Sequence, residues 1–277
     1  MNCSHRMSGV ALGLLLAQGA AMAAIAPDVA QDLMQKSGLW GQLESLGAQV
    51  RGGMSGALPS SGDLDVEATR TRMLACADTA YSADALRATA VDAVAGALQP
   101  TDVSAVTGWY DGPLGRKIAA MEEASTAQTL DPQERLRRGN AALEKASVAR
   151  KASLQAILAE TRSVDIMADT VIEMAIAVRT GMASTDPSMT PGALGDMKAE
   201  LSGKRPQLVQ RYTQLALPAY AFAYASLSDD DLKHYADYLA SPAAKAYNDG
   251  AVRGVARALT DGSARLARCL KDGATKP

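Results

Sequence analysis

Histidine is the first place to look for acid–base or metal chemistry, and the 277-residue chain has two, His5 and His234. A Ser-His-Asp triad needs an imidazole beside its nucleophile, and a histidine-rich metal site needs several. His5 falls in an N-terminal segment that reads as a signal peptide, which leaves His234. It stands between Lys233 and Tyr235, off the apolar stripe, with Asp230 and Asp237 at helical spacing. A general base or pH sensor is what such a residue offers, but its polar flanks favour a solvated surface histidine. Asp229, Asp230 and Asp231 form a run of carboxylates. A divalent-cation site needs carboxylates that converge from several positions. Consecutive residues at a helix start point apart, so this run reads as a cap, with acids near the positive end of the helix dipole. Arg135, Arg137 and Arg138 are diluted by Glu134 and Glu144 and read as a solvated helix face.

Cysteine is more informative. Cys3 precedes an apolar stretch and is not placed as a lipoprotein cysteine. Cys76 and Cys269 remain, and in an oxidising compartment they have one intramolecular pairing. Closing a loop of about 190 residues would stabilise by roughly 3–5 kcal/mol in the chain-entropy model. Free thiols or an intermolecular link are the alternatives. Without a Cys-x-x-Cys motif, neither cysteine suggests catalysis.

The aromatic residues are uneven: seven of the eleven lie between Tyr212 and Tyr247. Tyr220, Tyr224, Tyr235 and Tyr238 are the candidate surface for an apolar ligand or a partner's peptide. The plainer alternative is that these rings fill space left by small alanines.

These residues have to be carried by helices. Strand-like alternation is nearly absent, and an alanine-rich, aromatic-poor composition suits close helix packing. Leu39, Leu43, Leu46 and Val50 trace one helical face, and Gly52-Gly53 is expected to end that helix, with 52–62 as a loop. Segments 64–81 and 83–98 read as two further helices. Pro100 starts another, Gly112 stops it, and Pro113 starts the next. Asp131, Pro132 and Glu134 make a strong helix start. With no Gly or Pro between Asn140 and Thr180, one long helix or two nearly collinear ones are expected from there. Met167, Val171, Met174 and Val178 mark the expected buried face of the helix that follows. Pro206 opens a helix that Pro218 should kink, and Val252, Val255, Leu259, Leu266 and Cys269 line a long C-terminal one.

The chain also contains itself twice. Shifted by 129 residues, Leu98 meets Leu227, Asp102 meets Asp231, Trp109 meets Tyr238, Pro113 meets Pro242 and Arg116 meets Lys245. At an offset of 128, Val50 to Met54 lies over Val178 to Met182. The expected fold is all-α: two tandem related helical repeats joined by a long helix. Residues 28–130 form the first repeat, 131–157 a connecting helix, and 158–277 the second repeat with its long C-terminal helix.

The signature that repeats resembles that of a family of secreted bacterial helical proteins, the domain of unknown function two-zero-five-nine. The family pattern runs Leu, Ser or Thr, an acidic pair, Leu, then Tyr-x-Ser-Pro-x-Gly-x-Lys. The first copy is closer in Pro113-Leu114-Gly115-Arg116-Lys117. The second is closer in Leu227-Ser228-Asp229-Asp230-Asp231-Leu232 and Ser241-Pro242, but has Ala244 where Gly is expected. Asp32 to Leu39 is similar to the family's opening helix. The resemblance implies an all-helical exported protein and carries no catalytic residues.

Composition fits that expectation. His5 and Arg6, the apolar stretch Val10–Ala17 and Ala21-Met22-Ala23 read as a signal peptide over 1–23. No later apolar run reaches transmembrane length. A net charge of −2 gives no electrostatic footprint for nucleic acid. No nucleotide loop, metal cluster or nucleophile–base pair stands out, and no cofactor is expected. The functional expectation is an exported, most naturally periplasmic, non-catalytic protein that binds a partner or scaffolds an assembly of the cell envelope. The alternative is a binder of a small apolar ligand, in the tyrosine-rich second repeat or between the repeats.

Overall fold

The computed structural model describes residues 24–57, 64–127, 130–183 and 190–274. Among them the fold is all helical, with thirteen helices and no strand. The first six are α1 (Pro27–Lys36), α2 (Leu39–Ala57), α3 (Leu64–Ala80), α4 (Ala83–Ala95), α5 (Pro100–Asp111) and α6 (Pro113–Ala127). Then come α7 (Pro132–Lys145), α8 (Val148–Thr161), α9 (Ser163–Ala183) and α10 (Pro191–Gly203). The last three are α11 (Arg205–Ala223), α12 (Asp229–Leu239) and α13 (Pro242–Ala274). The segment read as a signal peptide, residues 1–23, lies outside the described residues, as does part of the expected loop over 52–62.

Local chemistry explains most helix starts. Pro100, Pro113, Pro132 and Pro242 open α5, α6, α7 and α13, where a missing N–H costs nothing. The Asp131 carboxylate caps α7 by accepting from the N–H groups of Gln133 and Glu134. Ser228 caps α12 through the N–H of Asp231.

Burial divides the helices in a way their order in the chain does not. One core gathers Leu33, Leu43, Leu86, Val94 and Val106 from α1, α2, α4 and α5 with Tyr247, Leu259, Leu266 and Leu270 of α13. A second gathers Ile118 of α6, Leu154 and Ile157 of α8, Tyr224, and Leu232 and Leu239 of α12, with Leu143 of α7 packed against it. The last helix thus completes a core built from the first five. Helices from the middle of the chain complete the other. Both closures are tight. A Cβ at Gly254 of α13 would lie 2.9 Å from the Cα of Ala90 in α4, and one at Gly139 of α7 would lie 2.1 Å from the carbonyl oxygen of Pro218 in α11. Only a residue without a side chain lets those backbones approach so closely.

Three expectations are corrected. Gly52-Gly53 does not end α2, which runs on to Ala57. Gly53 serves a close approach instead: a Cβ there would meet the sulfur of Met174 in α9 at 2.2 Å. The connecting helix over 131–157 is not continuous, because the chain breaks at Ala146 and Ser147. Ser147 caps α8 and also donates to Asp229, so a partner 82 residues away fixes the break. The buried face of α9 is Val164, Ala168, Ile172 and Ile176, while Met167 is 46% exposed. This helix is apolar on most sides, so spacing alone left two stripes in competition.

Candidate functional site

The four candidate tyrosines come together, two of them, Tyr224 and Tyr235, inside the protein and two, Tyr220 and Tyr238, half-buried. Tyr224, just past the end of α11, and Tyr235 of α12 are 3% and 5% exposed. Both donate to one carboxylate oxygen of Glu122 in α6, Tyr224 at 2.5 Å and Tyr235 at 2.9 Å. Tyr220, one turn before Tyr224, donates to Ser163 at 2.8 Å and lies 2.9 Å from the hydroxyl of Thr161. Tyr238 stacks flat on Trp109 of α5, with ring centroids 4.1 Å apart. The hydroxyls of Tyr220, Tyr224 and Tyr235 are therefore engaged within the fold. Burial raises the pKa of all four phenols above its ordinary value, so they stay protonated.

Glu122 holds this cluster, and sequence reasoning missed it. Burial raises its pKa, and the hydrogen bonds from Tyr224 and Tyr235 work in the opposite direction. One signal was present. Leu114, Ile118 and Glu122 recur at spacing four, which puts the carboxylate on the apolar stripe of α6. What the sequence could not supply was the pairing with tyrosines more than a hundred residues away.

The acidic run at the start of α12 does pull apart. Asp229 pairs with Arg150 at 2.9 Å and accepts from Ser147, while Asp231 pairs with Lys117 at 3.1 Å. These partners lower the pKa of both, Ser147 and Lys117 foremost. Arg150 also donates to the carbonyls of Tyr224 and Leu227, fastening α8 to the turn before α12. His234 is exposed on the outer face of α12. Glu134 binds Arg137 and Arg138 at 2.7 and 2.6 Å, which offsets part of that basic patch. No group of three or more metal-ligating side chains occurs among the described residues.

Cys76 of α3 and Cys269 of α13 are bonded, with their Cα atoms 5.7 Å apart and 193 positions between them in sequence. The bond fastens α13 to the core it completes.

A cleft of about 160 Å³ opens between α9, α10, α11 and α13. Its walls are Asp169, Ile172 and Glu173 of α9, Ser202 of α10, Arg205 of α11, and Ala256 and Thr260 of α13. Arg205 grips Asp169 at 2.7 Å and Asp165 at 2.6 Å, and this pairing raises its pKa further. Hydroxyls hold Glu173: Ser263 donates at 3.2 Å and Thr260 at 3.5 Å. Ser263 in turn lies 2.9 Å from the hydroxyl of Tyr81. None of these groups was singled out from the sequence. They come from four helices and share no motif. Among the described residues no helix is long and apolar enough to cross a membrane. The chain matches no family model, no curated protein and no solved structure.

Proposed function

We propose that this chain is an exported, duplicated helical protein of the cell envelope, most naturally periplasmic, that binds a partner or scaffolds an assembly without catalysis. We further propose kinship with the secreted helical family that its signature resembles. One observation carries the reading: α13, from the far end of the chain, closes the core of α1 to α5, and α6, from the first half, packs into the core of α8 and α12. Such interlocking suits a rigid body whose outer helix faces serve as contact surfaces.

The duplication belongs to this proposal. At the 129-residue offset, the span from Pro113 to Lys145, α6 through α7, coincides with α13, Pro242 to Ala274. Trp109 stacks on Tyr238, its own counterpart at that offset. A residue that meets its own equivalent is what a pseudo-two-fold axis between two copies would produce. Export is supported by the disulfide, a bond that persists in oxidising compartments.

Cross-linking in intact cells, followed by purification from the envelope and mass spectrometry, tests the partner reading. A stoichiometric cross-linked protein is expected, and recovery of monomer alone would count against it. The second reading, a small-ligand protein, is favoured by the cleft in the second half and not by the tyrosine cluster, whose Tyr224 and Tyr235 are interior. A retained small molecule in the native mass would support it, and a clean mass of the bare chain would oppose it.

A further inference from the structure

We propose that the cleft between α9, α10, α11 and α13 is a binding site for an alkylammonium group, with Glu173 as its counter-charge. The inference stands whether or not the scaffold reading holds.

Charge is the first argument. Asp165, Asp169 and Glu173 follow one another at spacing four on α9. Arg205 forks onto the first two, and Arg162 lies 3.9 Å from Asp165. Arg162 lies closer to Asp249, at 3.3 Å, so two guanidinium groups face three carboxylates there before Glu173 is counted. No ion-pair partner stands beside it among the described residues. Thr260 and Ser263 orient it with two hydroxyl hydrogen bonds, and the Tyr81 hydroxyl beside Ser263 extends that chain. A carboxylate offers about four lone-pair positions, so roughly two remain for a ligand's N–H groups.

Shape is the second argument. Ile172 and Ala256 give the cleft an apolar wall beside the carboxylate, and Ser202 and Thr260 add hydroxyls to its lining. One water needs about 10–15 Å³ by this kind of measure. A cleft of about 160 Å³ therefore has room for a short alkyl chain with an ammonium at its end. An anion would meet the Glu173 carboxylate, and the guanidinium lining the cleft, Arg205, is committed to Asp165 and Asp169. The same chemistry is offered by a free primary amine and by a lysine side chain of a partner.

Titration calorimetry of the full chain with n-butylammonium chloride and with an Nα-acetyl-lysine amide tests this. Millimolar binding of n-butylammonium is expected, with at least tenfold weakening in Glu173→Gln, which keeps the shape and one acceptor oxygen but removes the charge. Ala256→Leu leaves every charge in place and fills the cleft, and should also abolish binding. Binding of the lysine amide as well assigns the site to a partner's lysine, whereas binding of the free amine alone assigns it to small amines. No binding of either probe, or unchanged binding in Glu173→Gln, overturns the proposal.

Discussion

Substituting Glu122 offers the sharpest test of how the second core is held. In Glu122→Ala the hydroxyls of Tyr224 and Tyr235 lose their shared acceptor at 2.5 and 2.9 Å. A buried hydroxyl left without a partner costs about 1–3 kcal/mol. The two rings lie 5.9 Å apart, so one hydroxyl can turn partly toward the other. The expected loss is therefore about 2–4 kcal/mol rather than the full sum. Glu122→Gln keeps an acceptor oxygen and should cost less than about 1 kcal/mol at neutral pH, within the range of a typical retained hydrogen bond. The two variants also differ in pH dependence. The folded protein holds the Glu122 proton more tightly than the unfolded chain, whose carboxyl titrates near its ordinary 4.5. The stability from this group is thus fully present below that pH and is lost as pH rises through the raised folded value. Against wild type, Glu122→Gln should gain in relative stability from pH 4.5 toward neutrality. Urea unfolding of the three proteins at several pH values reads both effects. An alanine variant within 0.5 kcal/mol of wild type, or overlapping wild-type and glutamine pH profiles, would refute the reasoning.

Gly139→Ala should destabilise by about 1–3 kcal/mol, because the new Cβ meets the Pro218 carbonyl at 2.1 Å and neither backbone can yield cheaply. Gly108→Ala, at an exposed position of α5 with nothing within 4 Å, should instead stabilise by about 0.5–1 kcal/mol; thermal unfolding of both separates close packing from helix propensity, and equal signs would contradict the interface. The disulfide spans 193 positions, so replacing both cysteines with serine should cost up to about 5 kcal/mol in the chain-entropy model. A thiol assay on denatured, unreduced protein should find neither Cys76 nor Cys269 free, and two free thiols would remove the bond from the argument.

How much of this was legible depends on how local the cause was. The starts of α5, α6, α7, α12 and α13 could be read because Pro, Asp131 and Ser228 act within one turn. The pairing of Cys76 with Cys269 was open to reasoning because it was the one choice left within the chain once Cys3 was set apart. The continuation of α2 was not legible, since Gly53 answers to Met174 of another helix. Nor was the break at Ser147, which Asp229 fixes from across the fold. The tyrosines were visible as a cluster, but their direction was not, because Glu122 lies 102 positions from Tyr224. The cleft left no trace in sequence at all: its lining is drawn from α9, α10, α11 and α13, and no spacing rule joins them.

The core closed by α13 has a consequence for biosynthesis. Translation finishes α4 at Ala95, but the helix that covers it starts only at Pro242. At about 5–20 residues per second, the intervening stretch of roughly 150 residues keeps the nascent chain waiting for about 7–30 seconds. During that interval Leu86, Ala90 and Val94 lack the α13 side of their packing. A chaperone that shields exposed apolar helix faces is needed most in that window. A messenger truncated before α13 would yield a chain with its first core open, and a protease would find it before any partner did.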